Sequence, residues 1–225
     1  MSLLVEAFDN LPRRGLADDP DLFHAGAEAA VAEFRQLVRE RYIEGTLVRI
    51  LASHQDPHHR QAAAVALGLV GTMASNAAVA SALRDEDEQV RTAAVESIWE
   101  IWFRGDGSRQ GRELRQVLGQ QETDQRLAGC DELIREYPDF AEAYNQRAIQ
   151  HFIRGAYTQA VSDCEAVLRL NPYHFGAAAG LGQCYLRMNK PRAAIRAFAH
   201  ALDLNPSLPN LQDVLKTLRD SLGDA

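Results

Sequence analysis

The sequence predicts an all-α protein built as a solenoid of stacked helical hairpins. Three observations lead to this prediction. The C-terminal half repeats with a period of 34 residues, the N-terminal half repeats with a period of 31, and no segment alternates β-branched and polar residues as a strand would. A fixed period of this length is typical of chains in which each helix pair buries its apolar face against the next pair.

Prolines mark the 34-residue period. Pro138, Pro172 and Pro206 are equally spaced, and each follows a run of apolar residues. Because a proline excludes the preceding residue from helical conformation, Asn171 and Asn205 are predicted to end helices. Small or apolar residues recur at matched places before the prolines, in the sets Cys130, Cys164 and Phe198; Leu133, Val167 and Ala201; and Ile134, Leu168 and Leu202.

This C-terminal pattern resembles the tetratricopeptide repeat (TPR) family. Residues 175–208 match it well, and residues 107–140 keep only its second-helix half. The matching residues in the best repeat are Leu181, Gly182, Tyr185, Ala194, Phe198, Ala201 and Pro206. Residues 141–174 match through Tyr144, Ala148, Ala160, Val167 and Pro172, while Arg147 and Cys164 depart from the family pattern. Leucines near helical spacing over residues 208–222 predict a capping helix for the end of the array.

The N-terminal half carries the 31-residue period. The residues that align across it are Asp56 with Asp87, Arg60 with Arg91, Ala62 and Ala63 with Ala93 and Ala94, and Leu67 with Ile98. This motif resembles the short HEAT-like repeat that also occurs in phycobilisome lyases. We expect each aspartate to cap a helix, with Pro57 at the first helical position. Asp19-Pro20 predicts the start of an earlier, divergent pair, which makes about three HEAT-like pairs.

The two resemblances divide the chain into a HEAT-like array over residues 1–105 and a TPR array over residues 106–225. Glycines at 105 and 107 predict a turn or hinge between them.

The two tryptophans, Trp99 and Trp102, align with Gly68 and Gly71 of the preceding repeat. A bulky indole in place of glycine fills a wide gap rather than allowing close helix contact. We expect the indoles to fill a wedge where the HEAT-like geometry gives way to the TPR geometry. The alternative is that both lie in the core of the third HEAT-like pair.

Charge and cysteine content exclude several classes of function. Residues 1–105 contain 16 acids and 10 bases, and the rest is nearly balanced, so no basic stripe is available for phosphate backbones and we predict no nucleic-acid partner. We expect no secretory leader and no membrane insertion, because no apolar run approaches ~20 residues. The three cysteines lack metal-type spacing, which predicts buried thiols and a cytoplasmic location.

The sequence offers no recognisable catalytic motif. It lacks a nucleophile elbow and a phosphate-binding loop, and it lacks the His-Glu dipeptides of iron-binding HEAT hydroxylases. His54, His58 and His59 are predicted to lie in an exposed loop, with a metal site as the alternative. The acidic run at residues 85–88 is interpreted as helix capping, or alternatively as a site for a basic partner. We therefore predict no enzyme activity, no cofactor and no bound metal.

The TPR resemblance implies a ligand groove on the first helix of each repeat. Some TPR domains clamp a chaperone's C-terminal carboxylate there with Lys and Asn, but among the matching positions only Asn145 is of a suitable type. The predicted groove residues are Asn145, Gln146, Ile149, Phe152, Ile153, Gln183, Leu186 and Arg187. They predict a scaffold or adaptor that binds an amphipathic helix or apolar peptide of a protein partner. The alternatives are a chromophore lyase-like enzyme and a self-associating TPR protein.

Overall fold

A computed structural model of the chain describes residues 2–12 and 20–222, and the regular structure in these ranges is entirely helical. A short 3₁₀ turn, Met73–Ser75, lies between α4 and α5. The α-helices are α1 (Leu3–Asp9), α2 (Pro20–Arg41), α3 (Glu44–Ser53), α4 (Pro57–Val70), α5 (Asn76–Ala82), α6 (Glu88–Arg104), α7 (Ser108–Leu118), α8 (Thr123–Glu136), α9 (Ala141–Ile153), α10 (Tyr157–Leu170), α11 (Phe175–Arg187), α12 (Pro191–Leu204) and α13 (Leu211–Leu222). The predicted all-α class is confirmed.

The chain forms two compact units, residues 1–101 and residues 102–225, which are called the N-terminal and the C-terminal unit. The N-terminal unit contains α1–α5 and most of α6, and the C-terminal unit contains the last residues of α6 and α7–α13. The sequence analysis predicted a border between the two repeat families at residue 105. This residue lies in the turn after α6, and the border between the families stays a prediction.

Two aspartates begin the repeated helices of the N-terminal unit, as the period of 31 predicts. Asp56 Oδ1 accepts a hydrogen bond of 2.9 Å from the His58 amide, and Pro57 is the first helical residue of α4. Asp87 Oδ1 accepts from the amide of Gln89 at 2.9 Å, at the start of α6. These side chains satisfy amides that the helix itself leaves without partners. The earlier pair begins with α2 at Pro20, whereas Asp19 lies outside the described residues.

The repeated arginines hold the loops that precede their helices. Arg60 Nη1 donates to the carbonyls of His54 and Gln55, at 2.9 and 3.1 Å. Arg91 Nη1 donates to the carbonyls six and five residues before it, at 2.8 and 3.0 Å. The two arginines therefore perform the same structural task one period apart. Sequence reasoning aligned them without assigning this role.

Arg60 also forms a bidentate ion pair with Asp85. The Nε–Oδ2 and Nη2–Oδ1 distances are both 2.8 Å, and the two side chains are only 8% and 11% exposed. Such parallel bonds are the strongest geometry available to a guanidinium and a carboxylate. Burial raises the pKa of Asp85, but the bonds from Arg60 and from the Asp87 amide outweigh burial, so the pKa lies below its usual value.

In the C-terminal unit, small residues set the distance between neighbouring helices. A Cβ added at Gly182 of α11 would lie 2.3 Å from the Phe198 ring of α12, so only glycine allows this contact. Phe198 belongs to a buried cluster with Ala178, Ala194, Ala201, Leu211 and Leu215. The capping helix predicted over residues 208–222 is α13, and its Leu211 and Leu215 cover that cluster.

The predicted helix ends are also present. Asn171 and Asn205 are the C-caps of α10 and α12. Each side chain then accepts a bond from the amide two residues on, Tyr173 at 3.2 Å and Ser207 at 3.0 Å. The asparagine thus bridges the turn that its proline begins. Helix α1, by contrast, was not predicted; it is capped by Ser2 and buries two apolar residues, Leu4 and Val5.

The Arg60–Asp85 pair predicts a specific acid dependence of stability. Asp85→Asn should lower the free energy of unfolding at pH 7 by ~1.5–3 kcal/mol, because it removes a charge-assisted bidentate bond. A carboxyl whose folded pKa is depressed stabilises the protein above its unfolded pKa and loses that contribution as pH falls through the folded value. The difference between parent and variant should therefore be constant near neutrality and shrink below about pH 4.

Urea denaturation followed by circular dichroism across this pH range provides the measurement. Glu33→Gln removes an exposed carboxylate of α2, and it serves as the control that changes the net charge equally. A stability difference for Asp85→Asn that does not change between neutral and acidic pH would contradict the assignment.

Candidate functional site

The eight residues predicted to face a ligand groove lie on α9 and α11, the first helices of two successive repeats. The structure separates them by exposure into two groups. Two of them, Asn145 and Gln146, are buried, with 6% and 9% of their surface exposed. The other six are exposed or half-buried, namely Ile149, Phe152, Ile153, Gln183, Leu186 and Arg187.

The exposed group contains two large aliphatic side chains that nothing in the unit covers fully. Ile149 is 42% exposed and Ile153 is 62% exposed. They are four residues apart on α9, so they lie one turn apart on the same side of the helix. Together they form an apolar stripe along α9.

Phe152 connects this stripe to the next repeat. Its ring packs edge-on against the Tyr157 ring at a centroid distance of 5.4 Å. The Arg187 guanidinium of α11 lies 5.9 Å from the centre of the Phe152 ring, within the range of a cation–π contact. The half-buried phenyl ring therefore bridges α9 and α11 and is fixed on two sides.

The buried pair does not face a groove, which corrects the prediction for these two residues. Asn145 Nδ2 and Gln146 Nε2 both donate to Oε1 of Glu142, at 3.0 and 2.6 Å. Both side-chain amides therefore bind the buried Glu142 carboxylate, which lies one helical turn before them on α9.

Glu142 is the centre of a buried polar network that sequence reasoning did not find. Its other oxygen, Oε2, lies 3.0 Å from His174 Nε2, and both side chains have no exposed surface. His174 Nδ1 accepts from the Ala177 amide at 3.0 Å and so caps α11. Because Nδ1 is an acceptor, Nε2 carries the hydrogen and donates to Glu142. The Glu142 carboxylate thus receives three donors.

An aromatic stack closes this network from the side. The Trp102 indole lies parallel to the His174 ring at 4.1 Å and inclined to the Phe175 ring at 5.3 Å. Trp102 is only 2% exposed, whereas Trp99 is half-buried. Trp102 thus packs against the start of α11, and the two interpretations of the tryptophans stay predictions. A repeat comparison could have signalled the site, since His174 stands where Phe140 and Leu208 stand one period away.

Arg147 holds three helices of the same unit together. It makes a bidentate pair with Asp163 of α10, at 2.6 and 2.9 Å, and a further bond of 2.7 Å to Asp131 of α8. Hydrogen bonding to Asp163 is the main cause that raises the pKa of Arg147. At this position the TPR family usually has leucine. In this chain, ion pairs of Arg147 connect the helices instead.

The three thiols are buried, and two of the histidines lie next to aspartates. Cys130, Cys164 and Cys184 are free and buried, as predicted, and burial raises the pKa of Cys130 and Cys164 to about 12. His58 Nε2 lies 2.7 Å from Asp9, and His59 Nδ1 lies 3.0 Å from Asp56. Over residues 2–12 and 20–222, no three His, Cys, Asp or Glu side chains group in a way that could hold a metal ion.

None of the described helices combines the length and the hydropathy that a bilayer-spanning segment needs.

Comparison with known families identifies both kinds of repeat in the chain. Residues 16–99 and 43–130 match the sequence model of HEAT repeats, and residues 151–218 match that of a tetratricopeptide repeat. Fold and matches together define an α-helical repeat protein of the solenoid class. The chain belongs to the HEAT-repeat family, whose matches span just over half of it, and it carries a TPR segment fused to these repeats. The second HEAT match continues past residue 105 and takes in α7.

Individual relatives share the repeats over part of their length. A TPR repeat-containing protein of Rhizobium etli is 34% identical over 92 residues, which are 41% of this chain and 45% of the relative. The meiotically up-regulated gene 93 protein of Schizosaccharomyces pombe is 32% identical over 77 residues, which are 34% of this chain and 20% of the relative. The chain thus spans less than half the length of these relatives.

Among solved structures, the first TPR of Spaghetti (RPAP3) bound to the HSP90 peptide SRMEEVD is similar with a TM-score of 0.47 and 18% identity. The similarity covers 52% of this chain and 92% of that one.

The Glu142 network predicts that a neutral amide cannot replace the carboxylate. In Glu142→Gln, the new amide group must face a donor, either the amides of α9 or His174 Nε2–H. His174 cannot change tautomer to accept, because its Nδ1 already accepts from the Ala177 amide. We expect the free energy of unfolding to fall by ~1.5–3 kcal/mol, the cost of losing charged hydrogen bonds inside the protein. Urea denaturation at neutral pH measures it.

The control for this variant is Glu132→Gln, which neutralises an exposed carboxylate of α8. Equal stability of Glu142→Gln and Glu132→Gln would show that the buried carboxylate does not depend on its three donors.

Proposed function

We propose that this protein is an adaptor whose C-terminal unit binds a peptide or helix of a partner protein in the TPR groove, on the exposed faces of α9 and α11, without catalysing a reaction. HEAT and TPR arrays are interaction scaffolds, since stacked hairpins expose long continuous faces. The peptide site is our inference from this chain's own residues, and the observation that carries it is the apolar stripe of Ile149 and Ile153.

The two exposed isoleucines of the stripe suit contact with an apolar surface of a partner. An exposed isoleucine contributes apolar burial only when another apolar surface covers it. Covering both isoleucines would place a partner against Phe152, whose ring is already held by Tyr157 and Arg187. A rigid aromatic beside flexible aliphatic side chains is typical of the centre of a binding site.

The polar residues around the stripe indicate how a ligand would be oriented. Gln183 and Arg187 are exposed on α11, and the Arg187 side chain makes no ion pair within the described residues. Asn145 and Gln146 are unavailable because they bind Glu142. We therefore expect an amphipathic segment with apolar side chains toward α9 and polar side chains toward α11.

The non-catalytic part of the proposal is supported by the state of the reactive groups. A thiol whose pKa is raised to about 12 by burial is not a nucleophile near neutral pH, and this holds for Cys130 and Cys164. The Glu142–His174 pair has all its polar atoms in hydrogen bonds and no exposed surface. Three free, buried cysteines also fit the reducing environment of the cytoplasm.

Replacing the stripe should weaken partner binding without unfolding the protein. We expect Ile149→Ser combined with Ile153→Ser to weaken the complex by ~1–3 kcal/mol, the usual loss when an interface anchor is truncated. Affinity capture from native lysate with mass spectrometry identifies the partner, and calorimetry with its binding segment gives the affinity. Partner binding at parental strength in this double variant would contradict the site.

The matched control is Ile43→Ser combined with Leu170→Ser, which removes two exposed aliphatic side chains away from α9 and α11. Its affinity should equal that of the parent. Light scattering over a range of concentrations separates a foreign partner from self-association, because self-association through the stripe would give a dimer that the Ile149→Ser, Ile153→Ser protein loses.

A further inference from the structure

A cleft in the N-terminal unit forms a second candidate surface, independent of α9 and α11. It encloses about 720 Å³ between α1, α4 and α6. Its apolar lining comes from Phe8, Leu11 and Pro12 at one side, Val65 of α4, and Ala93 of α6. Its polar lining is His58, Gln61, Glu88, Gln89, Thr92 and Glu96. The cleft thus combines an apolar floor with a wall that carries two carboxylates.

The two carboxylates of the wall have no partner within the described residues. Neither Glu88 nor Glu96 makes a side-chain hydrogen bond or an ion pair there, and both are exposed. Other acids of this unit are engaged: Asp85 binds Arg60, and Asp9 binds His58 at the edge of the cleft. Among residues 2–12 and 20–101, no cation therefore pairs with the carboxylates of Glu88 and Glu96.

Helix capping explains only one of these residues. Glu88 lies in the first turn of α6, where a negative charge is favourable next to the free amides. Glu96 lies two turns further along, where this effect has decayed. It lies on the cleft side of α6 together with Glu88 and Thr92.

The spacing of the wall defines the occupant. Residues 88 and 96 are eight positions apart on one helix, which separates their carboxylates by ~12 Å along the axis. An extended chain covers this distance in about four residues. A helix is ~10–12 Å across with its side chains, so an extended chain is the narrower of the two possible occupants.

We propose that this cleft binds an extended basic segment of a partner protein, with two arginine or lysine side chains about four positions apart and an apolar side chain between them. The cationic groups pair with Glu88 and Glu96, and the apolar side chain enters the floor at Val65, Ala93 and Phe8. Gln61 and Gln89, whose side chains are also unbonded within the described residues, are placed to bind the backbone of an extended chain.

A synthetic peptide tests the proposal directly. The probe is a short fluorescein-labelled peptide with two arginines four positions apart and serine, leucine and valine, in that order, between them. Fluorescence anisotropy with the full chain should show saturable binding at low ionic strength. Glu88→Gln combined with Glu96→Gln should weaken it roughly tenfold, since each exposed ion pair contributes modestly. A counterpart peptide with glutamates for arginines should not bind.

A charge-matched variant distinguishes the cleft from general attraction to an acidic protein. Glu33→Gln combined with Glu100→Gln removes two exposed carboxylates that do not line the cleft, so it should bind the peptide as the parent does. The Ile149→Ser, Ile153→Ser protein should also bind it normally, because that surface is separate. Circular dichroism checks that all variants are folded.

Three results would overturn the proposal: no saturable binding of the arginine peptide, an equal loss of affinity in the Glu33→Gln, Glu100→Gln protein, or competition by spermidine as effective as competition by unlabelled peptide. The last result would mean that the cleft takes small polyamines rather than a protein segment.

Discussion

No helical hairpin in this chain can bury its apolar face alone, and the rest of the structure follows from the need to cover that face with the next hairpin. Small residues satisfy this need by letting helices approach. Gly182 leaves room only for the Phe198 ring, and alanines such as Ala63 and Ala194 are fully buried where helices meet. Larger residues then fill the space that remains, and α13 closes the C-terminal array with Leu211 and Leu215.

A stacked array also has to fix the loops between hairpins, and each half of the chain does so with one polar side chain per period. In the N-terminal unit an arginine binds the carbonyls of the preceding loop, once at Arg60 and again at Arg91. In the C-terminal unit an asparagine ends the helix and accepts the amide beyond the proline, at Asn171 and at Asn205. Hydrogen bonds between side chain and backbone are directional, so they define the turn between helices more narrowly than apolar contact does. A surface that spans several hairpins needs a fixed turn geometry, because its shape depends on the relative positions of adjacent hairpins.

Features that repeat were predictable from the sequence, and features that break the repeat were not. The aspartate caps, the asparagine helix ends and the capping helix recur or follow from composition, so a single sequence contains several copies of each signal. The contacts of Glu142 with His174 and of His174 with Trp102 join residues 32 and 72 positions apart, occur once, and follow no period. For the same reason, Asn145 and Gln146 were expected to be exposed. The sequence did not reveal that Glu142 accepts hydrogen bonds from both side chains inside the unit. Ile149 and Ile153 are exposed, and their part in a ligand groove stays a prediction.

Because all three thiols are buried, their reaction with a labelling reagent would report local opening of the C-terminal unit. Cys130, Cys164 and Cys184 lie on α8, α10 and α11, so they sample successive hairpins, and each is at most 2% exposed. An alkylating reagent can reach a given sulfur only while the helices around it are apart. Site-resolved labelling rates would therefore give the order in which the hairpins separate, from the native sequence and without an introduced probe. The N-terminal unit has no cysteine, so every labelling event would report on the C-terminal unit.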